Sequence, residues 1–155
     1  MVSKVEDLGS LLKTVLCLLD VAAEVTVSEG DSGLLVDLSG DDLSVLIGGQ
    51  GKTLNALQAL LNAALNREEE GGWQRVVLDA EGYRERRRES LEEDAQKTAA
   101  QAVEEDREIS LEPMNAYERR IVHCALADRE DVKTDSRGEE PYRFIVISPA
   151  GKLPD

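Results

Sequence analysis

Aromatic residues are scarce in this chain, which has one Trp, one Phe and three Tyr among 155 residues. Hydrophobic residues nevertheless make up 41% of the sequence, so a packed core is available. That core must be built mainly from Leu, Val, Ile and Ala. The length suits one ordinary domain or two small ones.

Cysteine and histidine are too few for a metal centre or a disulfide framework. Cys17 and Cys124 are the two cysteines and lie far apart in apolar helical patterns, while His123 is the sole histidine. We expect buried free thiols, as in a reducing cytoplasm, and neither a zinc site nor another cofactor. No trio of nucleophile, base and orienting group is apparent, so we expect a protein that is not an enzyme.

Long apolar runs are also missing. No segment approaches the roughly 18 residues of a membrane span, and no basic region followed by a cleavage site comes after Met1. We therefore expect no membrane insertion and no signal peptide, and a cytoplasmic location.

Positive charge is in short supply, since the formal net charge is −14. This charge argues against a generic nucleic-acid binder, because the long-range field repels phosphates. Residues 1–82 carry 5 basic and 14 acidic residues, a net charge of −9, and residues 83–155 carry 13 and 18, a net charge of −5. Any binding of nucleic acid must therefore be local, through loops and helix ends.

A Gly-x-x-Gly turn at residues 48–51 is the most informative motif. Gly48, Gly49 and Gly51 surround Gln50, and Lys52 begins a helical pattern directly after them. Glycines permit a sharp turn and a close backbone approach, and the N–H groups that open a helix attract anions. Loops of this kind clamp the backbone of single-stranded nucleic acid in K-homology (KH) domains. The alternative is a simple glycine turn between two helices; the spacing excludes a Walker-type phosphate loop.

Hydrophobic periodicity predicts the order α-β-β-α-α-β before residue 82. A turn is expected at residues 29–33 and a polar loop at residues 68–72. The predicted elements are a helix at 5–22, strands at 24–28 and 34–38, helices at 41–47 and 52–66, and a strand at 73–80.

The second half begins with a long polar helix predicted at residues 83–104. Its apolar stripe is thin, consisting of Leu91, Ala95, Ala99 and Ala102. One interpretation is a solvated linker helix, with Arg88 and Glu92 as an i, i+4 pair. The other places the basic residues near its start on a phosphate-binding surface, namely Arg84, Arg87 and Arg88.

A short helix follows, with Asn115 and Glu118 as its predicted capping box. It should continue to about residue 127, between strands predicted at 107–111 and 142–148, with a turn at 136–141. The boundary between the two halves is placed near Gly82.

Arg119 and His123 lie four residues apart and therefore share one face of this short helix. An exposed guanidinium suits phosphate, and a histidine one turn away can grip the next phosphate. Arg120 lies to the side of the pair. On this interpretation the opposite face packs inward, with Tyr117, Ile121, Cys124 and Ala125. The alternative is an exposed Arg beside a His that merely caps or packs.

Together these motifs resemble the Jag family of bacterial RNA-binding proteins, also called SpoIIIJ-associated proteins. The similarity covers nearly the whole chain in the family's order. The matching blocks are residues 46–58 (LIGGQGKTLNALQ), 76–87 (VVLDAEGYRERR), 111–123 (LEPMNAYERRIVH) and 138–143 (GEEPYR).

The resemblance implies an α+β fold in which a type II KH domain at residues 1–82 precedes a small α/β domain at residues 83–155. The second domain is named for its Arg-x-x-x-His motif, and both domains bind single-stranded nucleic acid. The implied RNA-binding residues are those of the glycine turn and the basic residues of the second domain. They are Gly48, Gly49, Gln50, Gly51, Lys52, Arg84, Arg88, Arg119, Arg120 and His123.

The resemblance also implies a link to the control of cell elongation and division and, by name, to a membrane-protein insertase. KH domains of the family dimerise, including with a small KH-only partner protein. Two departures are visible: this chain starts at the KH unit, whereas many members carry a further N-terminal Jag domain, and Gly49 and Gln50 stand where a basic residue is common.

The leading hypothesis is therefore a non-catalytic regulator that binds single-stranded RNA, with single-stranded DNA as a second ligand. The alternative is an assembly module that dimerises through its KH domain and binds RNA weakly or not at all. The acidic first half and the Gly49–Gln50 loop favour the alternative. A nuclease or other hydrolase is a distant third.

Overall fold

The computed structural model describes residues 2–30, 33–67 and 72–151, with side chains from residue 6 onward. The chain forms two compact units, Met1–Arg84 and Glu85–Asp155. Residues 31–32 of the predicted turn, residues 68–71 of the predicted loop, and residues 152–155 lie outside the described residues.

The first unit has the predicted order α-β-β-α-α-β, which confirms the type II KH arrangement. A short 3₁₀ turn at Gly49–Gly51 separates its second and third helices. The elements are α1 (Val2–Leu18), β1 (Glu24–Gly30), β2 (Gly33–Ser39), α2 (Ser44–Ile47), α3 (Lys52–Leu65) and β3 (Val76–Ala80).

Three strands in the order β1-β2-β3 form the sheet of this unit. β1 and β2 are antiparallel, with Val27 opposite Val36, and β2 and β3 are parallel, with Val36 opposite Leu78. Alternate residues of β2 and β3 are buried, as expected for a sheet with one covered face. They join the apolar stripes of α1 and α3 in one aliphatic core, which includes Leu12, Leu34, Leu54, Leu61 and Leu78.

The outer edge of β3 is closed by side chains of α3. Gln58, Asn62 and Asn66 recur every four residues and so lie on one helix face. The amide of Asn62 accepts a hydrogen bond from Val76 N at 2.8 Å and donates one to Val76 O at 3.0 Å. Asn66 does the same for Gln74, and Gln58 accepts from Leu78 N. These amides satisfy backbone groups that an edge strand would otherwise leave open.

Asn62→Ala is expected to destabilise the first unit by about 2 kcal/mol, because both polar groups of Val76 lose their partner. The measurement is hydrogen exchange at the Val76 amide, whose protection should fall. Leu60→Ala is the matched control, since Leu60 is 50% exposed on the same helix. Equal protection in the two variants would contradict the role given to the Asn62 amide.

The second unit packs two helices on an antiparallel sheet of order β4-β6-β5. Leu91, Ala95, Ala99 and Ala102, the thin stripe of the long helix, are all buried in its core. That helix is therefore a core element of the second unit, and its interpretation as only a solvated linker is wrong. The elements are α4 (Tyr83–Glu104), β4 (Ile109–Ser110), α5 (Ala116–Ala125), β5 (Val132–Arg137) and β6 (Phe144–Pro149).

The sequence patterns did not predict β5. Its sequence, VKTDSR, is polar, and Val132 is its one buried residue, so no apolar alternation marks it. β5 forms because it pairs along its whole length with β6, the apolar central strand of this sheet. None of the helices in the described ranges combines the length and the hydropathy that a membrane span needs.

Candidate nucleic-acid interface

The glycine turn joins α2 to α3 through backbone conformations that favour glycine. Gly48 ends α2 with a φ of 68°, and Gly51 precedes α3 with a φ of 72°. Gln50 between them also has a positive φ, of 55°. Such left-handed conformations cost other residues free energy, which explains why glycines are placed here.

At two of the three glycines, neighbouring atoms leave no room for a side chain. A Cβ on Gly48 would lie 2.1 Å from Thr53 Oγ1, and one on Gly51 would lie 2.7 Å from Tyr83 Cε1. A Cβ on Gly49 would meet no atom within 4 Å, and Gly49 is exposed. Gly48 and Gly51 therefore shape the turn, and Gly49 presents bare main chain outward.

The first turn of α3 begins without a side-chain cap. The Lys52 N–H donates to Gly49 O, and the N–H groups that follow it are donors at the positive end of a 14-residue helix. Lys52 is exposed at the first helical position, and Thr53 is half-buried behind Gly48. The turn thus offers main-chain donors and one cation to an anion, without a side chain at Gly49 to obstruct the approach.

The start of α2 differs, because an acidic side chain just before it bonds to the first helical residue. Asp42 accepts hydrogen bonds from the hydroxyl and the backbone N–H of Ser44, at 2.6 and 3.1 Å. These bonds hold the pKa of the Asp42 carboxyl below its usual value.

The prediction that Arg119 is exposed is wrong. Arg119 is 7% exposed, and its guanidinium donates to Met114 O at 2.6 Å and to Glu140 Oε1 at 2.5 Å. Its charge is compensated by Glu140, and its donors bind two segments of its own unit. In this structure Arg119 cross-links the unit.

His123 and Arg120 are more accessible than Arg119. His123 is half-buried, and its Nδ1 shares a hydrogen bond of 2.7 Å with Thr134 Oγ1. Arg120 is exposed and makes no ion pair or hydrogen bond with any described residue. Of the predicted pair, Arg119 is therefore buried and bonded within the unit, whereas the His123 imidazole is partly accessible.

The inner face of α5 is rotated relative to the predicted one. Glu118, Arg119 and Val122 are buried, whereas Tyr117 is 68% exposed and Cys124 is exposed. The predicted capping box is present, and Glu118 also accepts from Arg87 Nε at 2.8 Å, which draws this side of the helix inward.

Ile121 and Ala125 pack against the core, as expected. The predictions that Tyr117 and Cys124 pack inward are wrong, and so is the prediction for Cys17, which is exposed on α1. Each cysteine is next in sequence to a residue that faces the core or is half-buried, Leu16 on α1 and Ala125 on α5. One residue turns an α-helix by about 100°, so each cysteine faces away from that neighbour.

The basic residues at the start of α4 have protein partners. Arg84 donates to Leu78 O, Asn55 Oδ1 and Gln58 Oε1, at 2.7, 3.1 and 3.0 Å. Arg88 pairs with Glu92 at 3.1 Å, as predicted, and also with Glu85. These interactions limit what Arg84 and Arg88 can offer to a ligand.

Sequence reasoning missed several side chains near His123. Thr134 and Ser136 lie on β5, and Ser136 Oγ accepts a hydrogen bond of 2.8 Å from Arg143 Nε. Recognising β5 as a strand would have placed the two hydroxyls on one face.

Comparison with known proteins agrees with this architecture. Residues 9–78 match the family described as the KhpA/KhpB KH domain, and residues 89–149 match the R-x3-H domain, the family named for its Arg-x-x-x-His motif. The chain thus contains a KH domain followed by an R-x3-H domain. It belongs to the KhpB, or Jag, family, which confirms the resemblance drawn from its sequence motifs.

Relatives in three bacteria are named RNA-binding protein KhpB. The protein of Clostridium symbiosum is 43% identical over 139 residues, which are 88% of this chain and 62% of that protein. The Bacillus subtilis protein is 41% identical over 128 residues, which are 81% of this chain and 61% of that protein. The Lactiplantibacillus plantarum protein is 34% identical over 84% of this chain and 40% of that protein. The chain thus spans about three fifths of the length of the first two relatives.

Proposed function

We propose that this protein is a non-catalytic regulator that binds single-stranded RNA. The observation that carries the proposal is the glycine turn, in which Gly49 is exposed with open space around it and a helix N-terminus without a side-chain cap follows. The names of the relatives, which are RNA-binding proteins, support the same class of ligand.

In the first unit, the sugar-phosphate backbone would lie against Gly49 and Gln50. Main-chain N–H groups at the start of α3 would donate to phosphate oxygens, and Lys52 would add one charge. The lack of a side chain at Gly49 permits this approach. Gly48 and Gly51 hold the turn in shape without contacting the ligand.

In the second unit, His123 and Arg120 are the proposed contacts from α5. An unpaired guanidinium at Arg120 can bind a phosphate or stack on a base, and the exposed ring of Tyr117 offers a second stacking surface. Arg84 and Arg88 would contribute less to RNA binding, because their guanidinium groups already have protein partners. Through such binding the protein would take part in controlling cell elongation and division, as its resemblance to the Jag family implies.

Titration of a labelled single-stranded oligoribonucleotide at several salt concentrations tests this function. For the wild type, log affinity should fall linearly with log salt, by about 0.7 per phosphate contact. Replacing Gly49 and Gln50 together by Asp should abolish most of the binding, because two carboxylates would stand where phosphate must approach. Gly49→Asn with Gln50→Asn is the control of matched size without charge, and it should bind more tightly than the Asp variant because it does not repel phosphate. A wild type without affinity for single strands, or equal binding by both double variants, would contradict the proposal.

A second candidate, assembly through the KH domain, is favoured by the free edge of its sheet. Among the described residues, β1 pairs with β2 alone, whereas the β3 edge is closed by side-chain amides. A cleft of about 490 Å³ runs beside β1. Glu6, Gly9, Ser10, Lys13, Val25 and Val27 line it.

A second KH domain could add its own strand at this edge. Light scattering on the Asp double variant separates the two candidates. A dimer that persists after RNA binding is lost would assign assembly to a surface other than the glycine turn.

A further inference from the structure

Most of the described cations in the second unit are paired with carboxylates. Seven of its basic side chains form ion pairs within 4.0 Å, so a unit rich in arginine presents little uncompensated positive charge. They are Arg87, Arg88, Lys97, Arg107, Arg119, Arg129 and Arg137.

Arg143 is different, because its guanidinium is held by a neutral group. Its Nε donates to Ser136 Oγ at 2.8 Å, and its Nη2 lies 3.5 Å from Ser136 O. No described carboxylate pairs with Arg143, which is half-buried just before β6. Its position is therefore fixed while its charge stays uncompensated.

His123, on α5, is also held by a neutral hydroxyl group of β5. Its partner Thr134 and the Arg143 partner Ser136 are two residues apart on β5, so their side chains share one face about 7 Å apart. β5 is an edge strand, paired with β6 alone among the described residues. An imidazole, two hydroxyls and a guanidinium, all from half-buried residues, thus lie along this edge strand.

The nearest acid on this strand faces away from the row. Asp135 lies between Thr134 and Ser136, so its side chain is on the opposite face, and Arg137 Nε donates to it at 3.0 Å. That hydrogen bond is the main reason why the pKa of the Asp135 carboxyl is lowered, and His123 contributes a smaller attraction. Arg137 therefore balances part of its negative charge and is shared with Glu108.

We propose that His123, Thr134, Ser136 and Arg143 form the phosphate-binding row of the second unit, and that Arg119 positions this row without contacting RNA. The proposal rests on the single-stranded RNA binding proposed above. Met114 supplies the positioning link, since its O accepts from the Arg119 guanidinium and its N donates to Arg143 O at 3.0 Å. Arg119 also holds Glu140, three residues before Arg143.

The test compares Arg143→Gln with Arg137→Gln in the full chain. Both variants lose one positive charge from the same hairpin, but Arg137 is already paired with Glu108 and Asp135. With the same labelled oligoribonucleotide and salt series, Arg143→Gln should lower the salt slope by about 0.7, the value of one single-strand phosphate contact. Arg137→Gln should leave the slope at the wild-type value.

If the wild type binds RNA and Arg143→Gln and Arg137→Gln have equal salt slopes, the assignment of the phosphate-binding row is wrong while the proposed function stands. If wild type does not bind single-stranded RNA at all, the function and the row both fail. Where circular dichroism shows Arg143→Gln to be unfolded, Ser136→Asp replaces it, because a carboxylate there would neutralise Arg143 in place. An unchanged slope in Ser136→Asp would overturn the row, and a loss of about 0.7 would support it.

Discussion

Arg119→Ala should destabilise the second unit by about 3 kcal/mol, whereas Arg120→Ala should change its stability by less than about 0.5 kcal/mol. The two arginines are neighbours on α5 with opposite environments. The Arg119 side chain is 9% exposed and bonded to Met114 O and Glu140, and its loss leaves a buried carbonyl without a partner. Arg120 is exposed and has no partner among the described residues.

Urea unfolding followed by circular dichroism measures the difference in the free energy of unfolding. RNA titration should give the complementary result for Arg120→Ala, with affinity reduced and the fold intact. Arg119→Lys separates charge from geometry, because an ammonium keeps the charge but cannot reach Met114 and Glu140 as a planar fork does. If Arg119→Ala were as stable as Arg120→Ala, the cross-linking role of Arg119 would be wrong.

Gly48→Ala should cost about 3 kcal/mol of stability in the first unit and remove RNA binding with it. The methyl group of an alanine at position 48 would lie 2.1 Å from Thr53 Oγ1, which is an overlap. The alanine backbone would also have to adopt a φ of 68°. Backbone strain of this kind costs about 1–3 kcal/mol, and overpacking adds about 1–3 kcal/mol.

Gly49→Ala is the matched control one residue away, since its Cβ would meet no atom within 4 Å. Its stability should stay within about 0.5 kcal/mol of the wild type. Thermal unfolding of both variants provides the comparison. Equal melting temperatures would mean that the turn is not held in the described conformation.

The sequence predicted the features of this fold that arise from local rules. The apolar stripes of α3 and α4, the Asn115–Glu118 capping box and the order of elements in the first unit all follow from periodicity and capping. Each depends on residues within a few positions of one another, which a single sequence displays directly.

The orientation of α5 could not be predicted in this way, because distant polar partners determine it. Glu118 and Arg119 are charged, so helical periodicity places them outside, yet Arg87 and Glu140 make their burial favourable. The apolar Tyr117 is displaced to the surface as a result. β5 was missed for a related reason, since its polar residues form a strand only beside β6.

The glycine turn is the part of the candidate site that sequence and structure describe alike. Spacing alone left two interpretations open, a nucleotide clamp and a simple turn between helices. The structure adds that Gly49 is exposed and that α3 starts without a side-chain cap, which fits the clamp. In the second unit, by contrast, the candidate contacts move from Arg119 to groups around β5.

The most direct test of the central claim, that bare main chain at the glycine turn contacts RNA, is amide chemical-shift mapping during titration with a single-stranded oligoribonucleotide. We expect the largest shifts at the amides of residues 49–53, with a second group around His123 and Arg143. Shifts confined to β1 and α1, with the glycine-turn amides unmoved at saturation, would contradict it.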